Sequence, residues 1–306
     1  MGPRPRGAIG GAKGTPRRRT RRGIATACCL LAGTLLAGCG RTFVVLNPVG
    51  PVARRELDVM LVAAVAMGAV IVAVIGLFVY ALVRFADRPG NPAPFRPEWA
   101  GSRRLEIILF AVPLLIVTII SVPVLRQTFS LQRLPLGGRP MIIDVTSLDW
   151  KWLFEYPAAG IAATNRLEVP TGVPLLFELT ADSPMNSFWI PQLGGMEYAM
   201  PGRVLPLWLE VDKAGTYQGR SANFSGKGFV DMAFTVDAVP PGAFAAWVQG
   251  VRGTAPAMTM TTYRALLRFD SVPPATYSSY PAATFPATTH GFTLKGGLYT
   301  PATLPG

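Results

Sequence analysis

Two uncharged apolar runs limit what this 306-residue chain can be. Val59–Val83 contains no Asp, Glu, Lys or Arg and is dense in Val, Ala, Ile and Leu. Such a stretch offers water no polar face. As a helix it is long enough to cross the ~30 Å hydrocarbon core of a bilayer, with its backbone N–H and C=O groups satisfied internally. Ile107–Leu125 is a second uncharged run, near the lower length limit and interrupted by Pro113 and Pro123. A membrane helix tolerates such prolines when a neighbouring helix, or hydroxyls such as Thr118 and Ser121, satisfy the freed carbonyls. A buried soluble helix pair is the alternative, and two spans behind a targeting segment disfavour it. The expectation is a hairpin of transmembrane helices over 57–83 and 105–127.

The segment ahead of the first span reads as a signal sequence. Arg4, Arg6, Lys13, Arg17, Arg18, Arg19, Arg21 and Arg22 form a basic run without acids, followed by a short apolar stretch from Ile24 to Leu36. The stretch ends in Leu36-Ala37-Gly38-Cys39, which resembles a bacterial lipobox, in which the thiol is acylated and the peptide is cut just before it. The alternative is a chance cysteine at the end of an ordinary signal peptide. Residues 1–38 are expected to be removed and Cys39 to be the lipidated N-terminus. Taking those eight cations from the formal charge of +12 leaves +4, too little to support nucleic-acid binding. Cys28 and Cys29 leave with the signal, so Cys39 is the single mature cysteine. That excludes an intramolecular disulfide and a cysteine-based metal cluster. The single histidine, His290, lies in a Pro/Thr/Tyr-rich tail and reads as solvated rather than as a ligand.

Charge orients the hairpin. The loop over 84–104 carries Arg84, Arg88, Arg96, Arg103 and Arg104 against Asp87 and Glu98, which puts it on the cytoplasmic side. Segment 39–56 and everything after the second span then face the periplasm of a bacterial inner membrane, the side a lipid on Cys39 also requires.

Beyond Met141 the pattern changes to short strands separated by Gly and Pro. Met141–Thr146, Asp149–Pro157, Pro174–Thr180, Val204–Val211 and Phe229–Val236 read as strands. In the second, Trp150, Trp152, Phe154 and Tyr156 share a face by period two, as core packing. Turn signals fall at Pro170-Thr-Gly172, Gly194-Gly195, Pro201-Gly202 and Ala214-Gly215. A small β-sandwich or barrel over 140–238 fits this spacing. A helical segment is expected over 239–270. One helix spans Gly242–Val251, with Phe244, Trp247, Val248 and Val251 on one face. Another spans Thr261–Phe269, with Tyr263, Leu266, Leu267 and Phe269 apolar. They could rest on the membrane, on a partner, or on the β domain. From Ser271 to the end, the Pro, Thr, Ser and Ala content predicts a mobile tail.

Four motifs make the resemblance specific: Trp150-Lys-Trp-Leu-Phe-Glu-Tyr-Pro157, Ser183-Pro-Met-Asn-Ser-Phe-Trp-Ile-Pro191, Tyr198-Ala-Met-Pro-Gly202 and Phe224-Ser-Gly-Lys-Gly-Phe-Val-Asp-Met232. With them the chain resembles subunit II of the haem–copper terminal oxidases, specifically the cytochrome bo-type ubiquinol oxidases, from Cys39 to about Arg268. The resemblance implies a cupredoxin fold. In copper-bearing relatives the binuclear CuA ligands would fall at Asn186 and Phe229 (histidines), Ser221 and Ser225 (cysteines), Asn223 (a backbone carbonyl) and Met232 (the methionine). Only Met232 keeps its ligand type. Copper at such a site needs thiolate and imidazole, and one thioether cannot hold a pair.

What the resemblance implies is a non-metallated subunit of a proton-pumping respiratory complex that passes electrons from ubiquinol to O₂. No catalytic residue or cofactor is expected on this chain; haems and copper belong to subunit I, with subunit III a further partner. Three other readings stand beside it: subunit II of a menaquinol oxidase, a CuA-bearing subunit of a cytochrome c oxidase, and a free-standing periplasmic scaffold lipoprotein.

Overall fold

The computed structural model describes residues 43–92, 94, 98, 101–131, 140–285, 292–295 and 298–301. Cys39, His290 and the whole of 1–38 lie outside the described residues. The chain divides into Met1–Phe43, of which only Phe43 is described, and Val44–Gly306.

Both apolar runs form helices: α1 over Pro51–Arg84 and α2 over Arg103–Leu131. Both are long and apolar enough to cross a membrane, and they touch one another. Pro113 and Pro123 sit inside α2. The expected hydroxyl compensation takes a different form. Thr118 and Ser121 donate to the carbonyls of Leu114 and Val117, each at 2.8 Å. The carbonyls left without donors by the prolines belong to Leu109 and Ile119, four residues before each ring. A Ser or Thr hydroxyl reaches a carbonyl three or four residues before it, so Thr118, nine residues after Leu109, and Ser121, two after Ile119, serve neither.

The start of α1 is built into the β domain. Pro51 sits at the first helical position, where its missing N–H costs nothing. Ala53 N–H, otherwise an orphan of the first turn, donates to the Leu193 carbonyl at 3.1 Å. Val49 N–H donates to Gln192 O at 2.8 Å, and Asp212 N–H to Val49 O at 2.9 Å. Gly50 permits this approach, because a Cβ there would lie 2.1 Å from the Glu210 carbonyl oxygen. Val49, Val52 and Ala53 are buried at this junction.

The β domain is a sandwich. Its strands are β1 Met141–Leu148, β2 Lys151–Tyr156, β3 Ile161–Thr164, β4 Arg166–Pro170, β5 Leu175–Ala181, β6 Asn186–Trp189, β7 Met196–Ala199, β8 Leu205–Leu209, β9 Gly215–Ser221, β10 Ala233–Val239 and β11 Ala275–Tyr277. One sheet has the order β11-β3-β2-β1-β5-β8, the other β4-β10-β9-β6-β7. A separate hairpin pairs β12 Phe292–Lys295 with β13 Leu298–Pro301. Between the sheets lies an aromatic cluster. Phe188 stacks on Phe234 with centroids 5.1 Å apart, Trp152 meets Phe188 edge-on at 5.3 Å, and Phe154 lies 5.2 Å from Phe234. Offset and edge-on pairs of this kind add about 0.5–1.5 kcal/mol each beyond area burial.

Several local expectations are revised. Trp150 does not share the strand face of Trp152, Phe154 and Tyr156. It occupies the two-residue turn between β1 and β2 with φ of 59°. Tight two-residue hairpins require positive φ in the turn, which outweighs the alternation pattern there. Phe229–Asp231 form a 3-10 turn, and the strand begins only at Ala233. The opposite face of β2 is not solvated: Lys151, Leu153 and Glu155 are all buried. Helices α3 (Pro241–Thr254) and α4 (Met260–Leu266) pack on the β domain, with Val248 and Val251 joining its main core. Tyr263 and Leu266 join a second cluster with Leu148, Leu153 and Tyr277. The expected mobile tail from Ser271 is also revised over 271–285. β11 pairs antiparallel with β3, and Phe285 is buried. Its Pro and Thr content masked a segment whose donors and acceptors are spent on the sheet it crosses.

Candidate functional site

The loop joining β9 to β10, together with the start of β6, brings three of the six expected ligand positions into one hydrogen-bonded network. Asn186 begins β6 and is 1% exposed. Its Nδ2 donates to Ser147 Oγ at 2.8 Å and to the Pro184 carbonyl at 3.0 Å. Its Oδ1 accepts from Ser221 Oγ at 3.2 Å. The single proton of Ser221 Oγ, at the end of β9, is shared with the Asn223 carbonyl at 3.3 Å. The Ser221 N–H reaches the Met232 carbonyl at 3.1 Å, which ties the two ends of the loop. Asn223 Nδ2 donates to Met185 O at 3.0 Å, and Ala222 N–H to Ser187 Oγ at 2.8 Å.

The remaining positions stand apart from this network. Ser225 Oγ is shut away from solvent and has no hydrogen-bond partner among the described residues. Phe229 sits in the 3-10 turn, its ring 5.8 Å from Phe224 and edge-on to it. Met232 is 1% exposed and belongs to the core cluster.

Ser147, from an inward position of β1, is the partner that sequence reasoning missed. The clue was a hydroxyl amid the apolar Met141–Leu148 run. Trp150 leaves the strand face yet still packs, partly buried, against the main core, and it also supports the loop. A Cβ at Gly228 would lie 2.3 Å from the Trp150 ring, so glycine is what lets the loop lie flat on the indole.

The donor set is that of a packed polar plug. It offers neutral hydroxyl and amide groups, largely spent on one another, where a soft-metal centre needs thiolate and imidazole. A copper pair does not fit these residues. Among the described residues no group of three or more His, Cys, Asp or Glu side chains is arranged to hold a metal ion. The geometry instead closes the mouth of the sandwich between β1, β6 and β9 with about one net-favourable hydrogen bond per partner, of order 1 kcal/mol each.

Residues 142–239 match the family described as "Cytochrome C oxidase subunit II, periplasmic domain". Two apolar helices, a cupredoxin-like β-sandwich and short C-terminal helices are therefore the architecture of this chain. It is 42% identical over 248 residues to a protein named quinol oxidase subunit 2 from Bacillus cereus, covering 80% of this chain and 85% of that one. It is 39% identical over 240 residues to the ubiquinol oxidase subunit 2 of Acetobacter aceti, covering 76% and 77%. To the cytochrome bo(3) ubiquinol oxidase subunit 2 of Pseudomonas aeruginosa it is 36% identical over 254 residues, covering 82% and 76%.

Proposed function

This chain belongs to the quinol oxidase subunit 2 family, and on that basis we propose that it is the non-metallated subunit II of a proton-translocating, bo-type ubiquinol:O₂ oxidoreductase. Its β domain serves assembly and stability, and it carries no catalytic residue. The observation that carries this reading is the Ser147–Asn186–Ser221 network, which fills two of the positions read as lost copper ligands, Asn186 and Ser221, with neutral groups. Electrons come from quinol, which is lipid-soluble and meets the haems and copper of subunit I within the membrane, so no relay through this domain is needed. Cofactors do the redox chemistry; subunit III completes the assembly.

The chain is held in the membrane by α1 and α2, with the β domain on the periplasmic side. The arginine-rich loop over 84–104 supports that orientation. Leu36-Ala37-Gly38-Cys39 supports removal of residues 1–38 and acylation of Cys39. Cys39→Ser then leaves an uncut precursor that incorporates no labelled palmitate yet stays in the membrane, since spanning helices bind far more firmly than acyl chains.

Isolating the complex through a tag on this chain tests the main reading. Co-purification of a haem-bearing subunit, quinol-dependent O₂ uptake and no stoichiometric copper in this chain support it. Oxidation of reduced cytochrome c with two coppers bound to this chain refutes it.

A further inference from the structure

The outer face of the six-stranded sheet carries an unusual row. One rung crosses it as Tyr277, Ala162, Glu155, Asp144, Glu178 and Pro206, each residue the register partner of the next. Register partners point to the same face, so three carboxyl groups stand side by side on β2, β1 and β5. All three residues are buried; Glu155 is 0% and Asp144 6% exposed. The strap running from β11 to Phe285 lies against two of them, Glu155 and Asp144. Its Thr284 hydroxyl donates to Glu155 Oε1. Its Ala275 N–H donates to Thr164 Oγ1 at 3.2 Å, and its Ser278 N–H to the Pro256 carbonyl at 3.0 Å.

The polar groups under the strap are short of partners. Asp144 Oδ1 and Glu155 Oε2 have no hydrogen-bond partner among the described residues. Neither does Thr146 Oγ1, at the next outward position of β1 and 1% exposed. Among the described residues, no ion pair neutralises Asp144 or Glu155. From β2 comes Lys151, whose Nζ is engaged by the carbonyls of Leu266 and Arg268 and by Asp270. From β5 come Glu178 and Thr180, and just beyond β5 lies Asp182, which accepts from the Tyr263 hydroxyl of α4. β3 and β8 bring Ala162 and Pro206. The strap itself brings Tyr277, Tyr280 and Thr284. Asp144 and Glu155 are adjacent and buried, and among the described residues no cation pairs with either, so ionising both is costly.

We infer that residues 275–285 form a proton-dependent latch: the strap closes over Asp144 and Glu155 when they hold protons and opens when they ionise. Opening releases each proton to solvent and uncovers the outer rung and the edge of β3. Burial, reinforced by the charges of Glu178 and Glu155, pushes the Asp144 carboxyl up to about 8. Burial pushes Glu155 up to about 7 against the opposing pull of the Thr284 hydroxyl bond. An uncovered carboxyl titrates near about 4. Closure therefore takes up protons. Its contribution is complete below about pH 4, falls as pH rises, and is lost above about pH 8. The inference goes beyond the oxidase reading and stands on the β domain alone.

Hydrogen–deuterium exchange on the full chain in detergent tests it, with rates corrected for intrinsic chemical exchange. Between about pH 6 and about pH 9, protection of peptides spanning 271–285 should drop at least about tenfold, while peptides spanning 215–239 in the opposite sheet keep theirs. Asp144→Asn combined with Glu155→Gln should remove that pH dependence and keep the strap protected at both pH values. Strap protection that is pH-independent in the wild type, or lost together with 215–239, overturns the latch; so does a pH dependence that survives the double substitution. Should the double variant fail to fold, the infrared carboxyl band of the wild type decides. Protonated carboxyl absorption that persists at about pH 6 and vanishes by about pH 9 supports the latch, and its absence at about pH 6 overturns it.

Discussion

Asn186→Ala probes whether the polar plug is structural. The substitution removes three hydrogen bonds, at 2.8, 3.0 and 3.2 Å, from a side chain that is almost fully buried. At about 1 kcal/mol net per neutral bond, and with the cavity partly offset by relaxation, the β domain should lose about 3 kcal/mol. Ser221→Ala removes one hydroxyl proton, shared between two acceptors, and strands Asn186 Oδ1 in the interior, for about 1–3 kcal/mol. The two residues share a bond, so the double variant should fall short of the sum by about 1 kcal/mol. For a domain of this size, 3 kcal/mol corresponds to roughly 6–12 °C in Tm. Tryptophan fluorescence of the full chain in detergent reads the shift, because Trp152 lies in the same core. Turnover per assembled complex should stay at the wild-type value. Unchanged Tm in Asn186→Ala would remove the structural role, and lost turnover in a complex still fully assembled would place the site in the electron path.

Met232→Leu conserves volume in the core and should leave both quinol-dependent O₂ uptake and Tm nearly unchanged, at a cost under about 1.5 kcal/mol. Gly228→Ala drives a methyl into the Trp150 ring and should cost about 1–3 kcal/mol, read as a lower Tm and a shifted tryptophan emission. Lys151→Met removes the cation that two carbonyls and Asp270 share. Asp270 is half exposed and rehydrates, so the loss should be about 2–4 kcal/mol, with faster proteolysis confined to the segment after Leu266.

The legible features were those that chain chemistry sets locally. Length without charge specified α1 and α2, since hydrocarbon accepts little else. The dipeptides at Pro201-Gly202 and Gly194-Gly195 marked where strands end, and the missing thiols at Ser221 and Ser225 ruled out a copper pair before any geometry was known. Reading failed where a distant segment decided the outcome. Alternation along Lys151–Tyr156 correctly grouped Trp152, Phe154 and Tyr156 on one face, yet it said nothing of what covers Lys151 and Glu155. The residues that cover them, Leu266 through Thr284, lie more than a hundred positions away. Trp150 left the aromatic face because closing the hairpin demanded positive φ.

Local composition thus specified the membrane spans, the β-rich character of the soluble part and the chemistry its loop lacks, because each depends on residues adjacent in the chain. The partner of Asn186, thirty-nine positions back in Ser147, and the burial of Glu155 and Asp144 beside Thr284 and Tyr280 came from packing alone. Periodicity names a face but not what covers it. Whether a polar group there is solvated, paired or forced to keep its proton is settled only when the chain has closed on itself.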